Sequence, residues 1–371
     1  MSMIRVFFKF TKLTLIIFFT TLLLTLLIDL FLGNTILRKL DPYLSKTQFY
    51  ERLIRIDHPI YHHGFRGNVI YNEAKGFEGN FSLCTDNHGF KYHCNKLRKK
   101  KFDFAFIGDS FVEGVGLPYK DTFVGIYEKK SKKSVANLGV TSYGTKIYLS
   151  KINFLLKNDY HFDHVVVFID VSDLFDDNTF YLLNKDLSVW EKNAIKKRLK
   201  KRKFLRYNFP LTNYYMYVIK MNNRINREVP PLKSLKPIYT KKAYLKAEWT
   251  YNSKDNINGY TDPISKTKME MIKNIEKLYV LLKKNNIKMS LAVYPWPQTL
   301  ESDTVDSQHV KMWEDFCLNK CEKFINFFPF FFNEKKESSY LNVIKEFYFW
   351  NDVHFNKKGN IFLGEKLADV F

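Results

Sequence analysis

The chain has 371 residues, 46% of them hydrophobic and 17% aromatic, and a formal net charge of +21. That apolar content excludes a disordered chain, and the length admits one large domain or two small ones. The charge would suit nucleic acid or an acidic polymer. However, Lys, Asn, Phe, Ile and Tyr are abundant together and no nucleic-acid-binding fingerprint is present, so most of the charge reads as compositional bias and no nucleic-acid partner is expected.

Residues 1–12 carry Arg5, Lys9 and Lys12 and read as a short cytoplasmic tail. Residues 13–33 are almost wholly apolar and long enough to cross a bilayer. No small-residue cleavage pattern follows, so the reading is an uncleaved signal-anchor, a single-pass transmembrane helix. Positive charge before the span places the N-terminus in the cytoplasm and the remainder outside, periplasmic or at the cell surface. Arg38, Lys39 and Lys46 follow the span and reduce the asymmetry. Asp29 lies near its outer end, where a charge costs less than at mid-bilayer.

Residues 34–100 read as a juxtamembrane extension. Ile36 to Leu53 has helical spacing. His58, His62 and His63 invite a metal reading, but no carboxylate or cysteine set accompanies them at ligand spacing, so no metal is expected. An even cysteine count in an exported chain points to disulfides. The simplest pairing joins Cys84 to Cys94 and Cys317 to Cys321. A four-cysteine zinc site is the rival, although neither pair has C-x-x-C spacing.

From Lys101 the pattern alternates strand and helix. Strands are expected at Phe102–Ile107, Ser134–Leu138, His164–Asp170, Ile287–Tyr294 and Phe324–Phe328, the last stopped by Pro329. Helices are expected at Asp121–Lys130, Tyr148–Asn158, Ser265–Asn285, Val305–Lys320 and Asn356–Val370. This alternation predicts an α/β domain over 101–371, with a parallel sheet covered on both faces. An insertion at about 178–262 breaks the rhythm and reads as a cap over the site. Its basic run, Lys192 to Arg206, reads as a solvated helix face.

Two stretches carry chemistry. Gly108-Asp109-Ser110 ends the first strand, where open α/β sheets place their ligands. The serine is a helix cap or a nucleophile. Near the C-terminus, Asn351-Asp352-Val353-His354-Phe355-Asn356-Lys357-Lys358-Gly359-Asn360 supplies an acid and a histidine. A nucleophilic serine needs such a base, and the base needs a carboxylate to fix its tautomer. Trp296, in Tyr294-Pro295-Trp296-Pro297-Gln298, stands at a strand's carboxyl end. It could stack on a sugar ring or simply pack.

These two blocks, in this order, resemble the SGNH/GDSL hydrolase superfamily over roughly Lys101 to Phe371. The Asn87-His88-Gly89-Phe90 stretch is similar to segments that precede the serine block in exported members. The resemblance implies a flavodoxin-like three-layer α/β/α fold and a triad of Ser110, His354 and Asp352 that uses no cofactor. It implies an oxyanion hole from the Ser110 backbone N–H, a second N–H in the turn holding Gly139, Ser142 and Gly144, and Ser172 where the family has asparagine. Asp109 and Asp173, in the same blocks, are candidate substrate contacts with Trp296. The spacing Asp-x-His, with Asn351 at the usual acid position, is similar to SGNH-like polysaccharide O-acetyltransferases rather than to hydrolytic members. The expected function is therefore an extracytoplasmic serine esterase or O-acyltransferase acting on an envelope or secreted glycan. A transferase would need a membrane acyl-donor partner. The alternatives are an inactive glycan-binding protein, or a lipase or thioesterase.

Overall fold

A computed structural model describes residues 2–40, 54–216, 219, 236–337 and 339–371. Two compact units divide the chain, 1–51 with 193–235 and 52–192 with 236–371. The expected helix at Ile36–Leu53 falls largely outside the described residues.

In the first unit a 39-residue helix runs over Ser2–Leu40. Its Thr11–Leu37 stretch is apolar and long enough to cross a membrane. Asp29 interrupts that stretch, and its carboxylate accepts the backbone N–H groups of Leu211 at 2.8 Å and Thr212 at 2.7 Å. Those donors open a helical stretch at 210–216, which follows the helix Asn193–Asn208.

The second unit is built on five strands: β5 (Lys101–Ile107), β6 (Val135–Asn137), β7 (His161–Ile169), β10 (Lys288–Val293) and β11 (Phe324–Asn326). All their pairings are parallel. The sheet order β11-β10-β7-β5-β6 is, counting these five in chain order, the 2-1-3-4-5 arrangement of flavodoxin-like doubly wound sheets. Right-handed crossovers then set helices on both faces. Phe123–Ser131 packs with Lys357–Val370, and Thr145–Lys157 packs with Ile264–Lys284. Covered twice, the central strands read as apolar runs: Ala105, Phe106, Ile107 and Val165 to Ile169 are fully buried. The expected α/β/α layering is what the chain forms, with each of the five strands at or within a few residues of its expected place.

Residues 52–100 are not a region apart. Hairpins β1–β2 (Arg55–His58, His62–Phe65) and β3–β4 (Ile70–Lys75, Asn80–Cys84) belong to the same compact unit as the sheet, as does the later hairpin β8–β9 (Tyr181–Leu183, Val189–Glu191). Cys84 is bonded to Cys94, and Cys317 to Cys321, as the spacing suggested. Lys91 is buried and donates to the carbonyls of Gly114 at 2.7 Å and Leu117 at 2.6 Å. Burial pushes its ammonium down to about 8.

β11 ends at Asn326, before Pro329. The proline enters the first turn of a helix, Phe328–Glu337, where a missing N–H costs nothing. The last helix begins as its sequence implies, with Asn356 accepting the Gly359 N–H at 3.0 Å. A Cβ on Gly359 would lie 2.2 Å from the Phe347 carbonyl oxygen. Gly359→Ala is therefore expected to cost about 2 kcal/mol or more of stability, read by thermal denaturation.

Candidate active site

Ser110 opens a single helical turn, Ser110–Glu113, at the carboxyl end of β5. Asp109 caps that turn by accepting the Phe111 N–H at 3.0 Å, so the capping reading holds, but for the neighbouring residue. Ser110 itself faces His354, with Oγ 2.8 Å from Nε2. His354 Nδ1 lies 2.5 Å from Asp352 Oδ1. The shortened Asp-x-His spacing is accommodated by a tight turn. Asp352 Oδ1 also accepts the His354 backbone N–H at 3.0 Å, so acid and base belong to one closed loop. Asn351 has φ +66° and turns away, its Oδ1 accepting the Ile238 N–H at 2.7 Å. It takes no part in orienting the histidine.

The protonation pattern follows from these partners. Burial alone would lower His354, but the bond and charge of Asp352, with Asp109 and Asp170 beyond, hold it above its ordinary 6.5. Nδ1–H then donates to Asp352 and Nε2 accepts from Ser110. Ser110 Oγ also lies 3.0 Å from Asp109 Oδ2. One hydroxyl hydrogen cannot serve both bonds. Burial, reinforced by Asp170, pushes Asp109 up to about 8. A protonated Asp109 can donate to Oγ while the hydroxyl hydrogen points at His354.

Asp109, Asp170 and Asp173 bring carboxylate oxygens within 4.8 Å of one another. They are the acids best placed to hold a cation. Each is already engaged: Asp109 as above, Asp170 by Trp296 Nε1 and the Ser172 N–H, both at 2.7 Å, and Asp173 by Tyr148 at 2.8 Å and the Asp170 N–H at 3.1 Å. Burial, with Asp170 and Asp109 beside it, also pushes Asp173 up, and its Oδ1 has no hydrogen-bond partner among the described residues. Three expected roles change accordingly. Asp173 is fully buried and is a floor residue, not a substrate contact. Asp109 is a cap and a partner of Oγ. Trp296 is 4% exposed, with its N–H spent on Asp170 and its ring near Phe111, so it packs and does not offer a sugar platform.

The turn after β6 also sorts its candidates. The Gly139 N–H is occupied by Asn137 Oδ1 at 3.1 Å, and its missing Cβ lets the turn press on Glu113 N at what would be 2.5 Å. Gly139 is thus a packing glycine and not an oxyanion donor. Gly144 stands against Asp177, which a Cβ would approach to 2.7 Å. Ser142, five residues after Asn137, has φ +65°, a conformation that favours glycine. Held strain of this kind gathers at functional sites. Ser172 precedes the helix Asp173–Thr179 without capping it through its side chain.

The strained turn is clamped by residues the sequence did not single out. Glu113, one turn after the serine, accepts the Thr141 N–H at 2.7 Å and its hydroxyl at 2.8 Å. Arg55 holds the other side of that carboxylate, at 2.6 and 3.2 Å. Burial would raise Glu113, but Arg55, Lys91 and the Thr141 N–H outweigh it and keep it below the ordinary carboxylate range. Burial lowers His63 to about 3, so it is neutral and its Nε2–H donates to the Thr141 carbonyl at 2.9 Å. Tyr181 donates to the Ser142 carbonyl at 2.7 Å. His63 thus serves the turn as a neutral donor. Phe77, 45% exposed at the tip of the β3–β4 hairpin, stacks on Phe349 and lies 6.1 Å from the His354 ring. A buried acid at i+3 from the serine was the available signal for Glu113. Nothing in the sequence pointed to Arg55 or Phe77.

No protein-family model and no curated protein matches the sequence. Solved structures do match. One is described as a lipolytic protein of the G-D-S-L family from Desulfitobacterium hafniense DCB-2. It has 12% identity and a TM-score of 0.32, with 74% of this chain and 100% of that chain covered. A second is the psychrotrophic esterase EstA from Pseudoalteromonas sp. (12% identity, 72% and 95% covered, TM-score 0.35). A third is a carbohydrate esterase family 2 enzyme with a carbohydrate-binding domain from Corynascus thermopiles (Myceliophthora fergusii) (12% identity, 78% and 71% covered, TM-score 0.32).

Two outcomes follow from the geometry. Ester turnover should rise with pH as His354 loses its proton, at a value above 6.5, and fall near pH 8 as Asp109 loses the proton it donates. Asp109→Asn, which keeps a donor, should abolish the alkaline fall alone. Glu113→Gln should lower kcat about tenfold to a hundredfold with little change in KM, because it loosens the turn rather than substrate binding.

Proposed function

We propose that the chain is a serine esterase or O-acyltransferase that works through an ester of Ser110. The carrying observation is the continuous chain from Asp352 through His354 to Ser110 Oγ. His354 takes the hydroxyl proton as Oγ attacks the carbonyl carbon. The oxyanion is received by the Ser110 N–H and by the Ser142 N–H, whose peptide is clamped at Thr141 and at its own carbonyl. Ser172 is the nearest equivalent of the third, side-chain donor. His354 returns its proton to the leaving alkoxide, and the acyl group remains on Oγ. Water or a sugar hydroxyl then attacks, with His354 again as base.

The acceptor is the finer part of this reading. The Asp-x-His loop supports an O-acetyl ester of an envelope or secreted glycan, handled by a domain held outside the cytoplasm on the Ser2–Leu40 helix. The two disulfides support an oxidising compartment. Acyl transfer would require a membrane partner that delivers the acyl group.

The test is hydrolysis of p-nitrophenyl acetate and of acetylated oligosaccharides by the full-length protein in detergent. Ser110→Ala and His354→Ala should each lose roughly four or more orders of magnitude in kcat, and Asp352→Asn about four. Acetylated sugar product in excess over free acetate would assign transfer. Turnover that survives Ser110→Ala would contradict the proposal.

A further inference from the structure

In sequence terms the basic run of the insertion is a solvated helix face, the ordinary role of such a helix. Its placement within the first unit argues otherwise. The helix Asn193–Asn208, with sequence NAIKKRLKKRKFLRYN, holds eight basic residues and no acid. Directly after it, the stretch at 210–216 begins on the Asp29 carboxylate. Asp29 is buried, and Gly33, one turn on, packs on Pro210. A carboxylate in an apolar span is costly unless its oxygens are satisfied, and here both accept backbone N–H groups. This contact fixes a depth. Asp29 precedes Leu37, the end of the apolar stretch, by eight residues, or roughly 12 Å of helix, and lies past its midpoint. The junction between the basic helix and the stretch after it is therefore held in the outer half of the span, toward its border.

The side chains on either side suit that level. Lys196, Lys197, Lys200 and Lys201 are exposed on the basic helix. Tyr207, Tyr215, Met216 and Ile219 are 42%, 58%, 41% and 57% exposed. Tyrosines gather at membrane interfaces, and clustered lysines are drawn to anionic headgroups within a Debye length of the surface. We propose that the basic helix and the aromatic stretch form a second membrane contact, lying on anionic phospholipid of the outer leaflet and pinned to the anchor through Asp29. This rests on the anchor reading of the Ser2–Leu40 helix. It explains a concentration of positive charge that catalysis does not use, and an acid inside an apolar helix.

The test uses the full-length protein in nanodiscs of phosphatidylcholine, with and without phosphatidylglycerol. Nitroxide labels are placed at Lys200→Cys and Tyr215→Cys, with Lys254→Cys as a control on the second unit. The native cysteines are all paired. The expected result has three parts. The Tyr215→Cys label is shielded from a water-soluble nickel chelate and reached by oxygen. The Lys200→Cys label is immobilised only with phosphatidylglycerol and released by salt. Asp29→Ala, or charge reversal of Lys196, Lys197 and Lys201 to glutamate, removes the lipid dependence. Labels that match Lys254→Cys in both compositions would overturn the proposal alone. Equal immobilisation by soluble dextran sulfate over neutral discs would also overturn it, in favour of an anionic polymer. Extraction of the protein from membranes by alkaline carbonate would overturn the anchor and this proposal together, leaving the serine chemistry untouched.

Discussion

The contact between Ser110 Oγ and His354 Nε2 joins positions 244 residues apart, and most of the second unit is arranged to make it. The serine must leave the sheet at the carboxyl end of β5. The histidine must enter from a loop anchored on the last helix. Parallel strands in the 2-1-3-4-5 order bring the loops that leave their carboxyl ends to one edge, and both residues meet there. The Phe123–Ser131 helix packs on the final helix, and Asn360 Oδ1 accepts the Phe123 N–H at 2.9 Å, tying the two ends of the domain together just beneath the site.

Electrostatics refines what topology brings together. Beneath the serine, three buried acids share space that cannot hold three charges, so protonation becomes part of the structure. Around it stand the compensating cations, Arg55 half-buried and Lys91 fully so. Arg55 meets Glu113, and Lys91 is capped by two carbonyls. These cations come from residues 52–100. The hairpins ahead of the sheet thus complete the walls of the site and stiffen the turn proposed to hold the oxyanion, while Phe77 forms an apolar rim beside the base. In a preorganised site such stiffness matters more than any single contact, since donors that must reorient during reaction lose much of their benefit.

What the sequence disclosed follows from the range of the forces involved. Strands buried on both faces read as apolar runs, so β5, β7 and β10 were legible, as were the disulfide pairs at short separation. The serine, histidine and acid were legible because their chemistry demands those residue types. The partners that tune them were not, since Arg55 and Glu113, or Tyr181 and Ser142, meet only through the fold. Gly139 and Trp296 drew attention as residue types, yet their N–H groups are spent on Asn137 and Asp170. Pro329 marks the end of a strand in the sequence, but the helix that opens around it depends on where that helix begins. Asp29 looked like a tolerated impurity in an apolar span, and only the fold pairs it with residues 211 and 212.

The central claim, that Ser110 is activated by His354 and carries the acyl group, is tested most directly by covalent capture. The full-length protein would be treated with a fluorophosphonate, digested, and mapped by mass spectrometry. The account expects one phosphonylated residue, Ser110, with labelling abolished in His354→Ala while the protein stays folded by thermal denaturation. A folded wild-type protein that takes no label, or takes it on another serine, would contradict it.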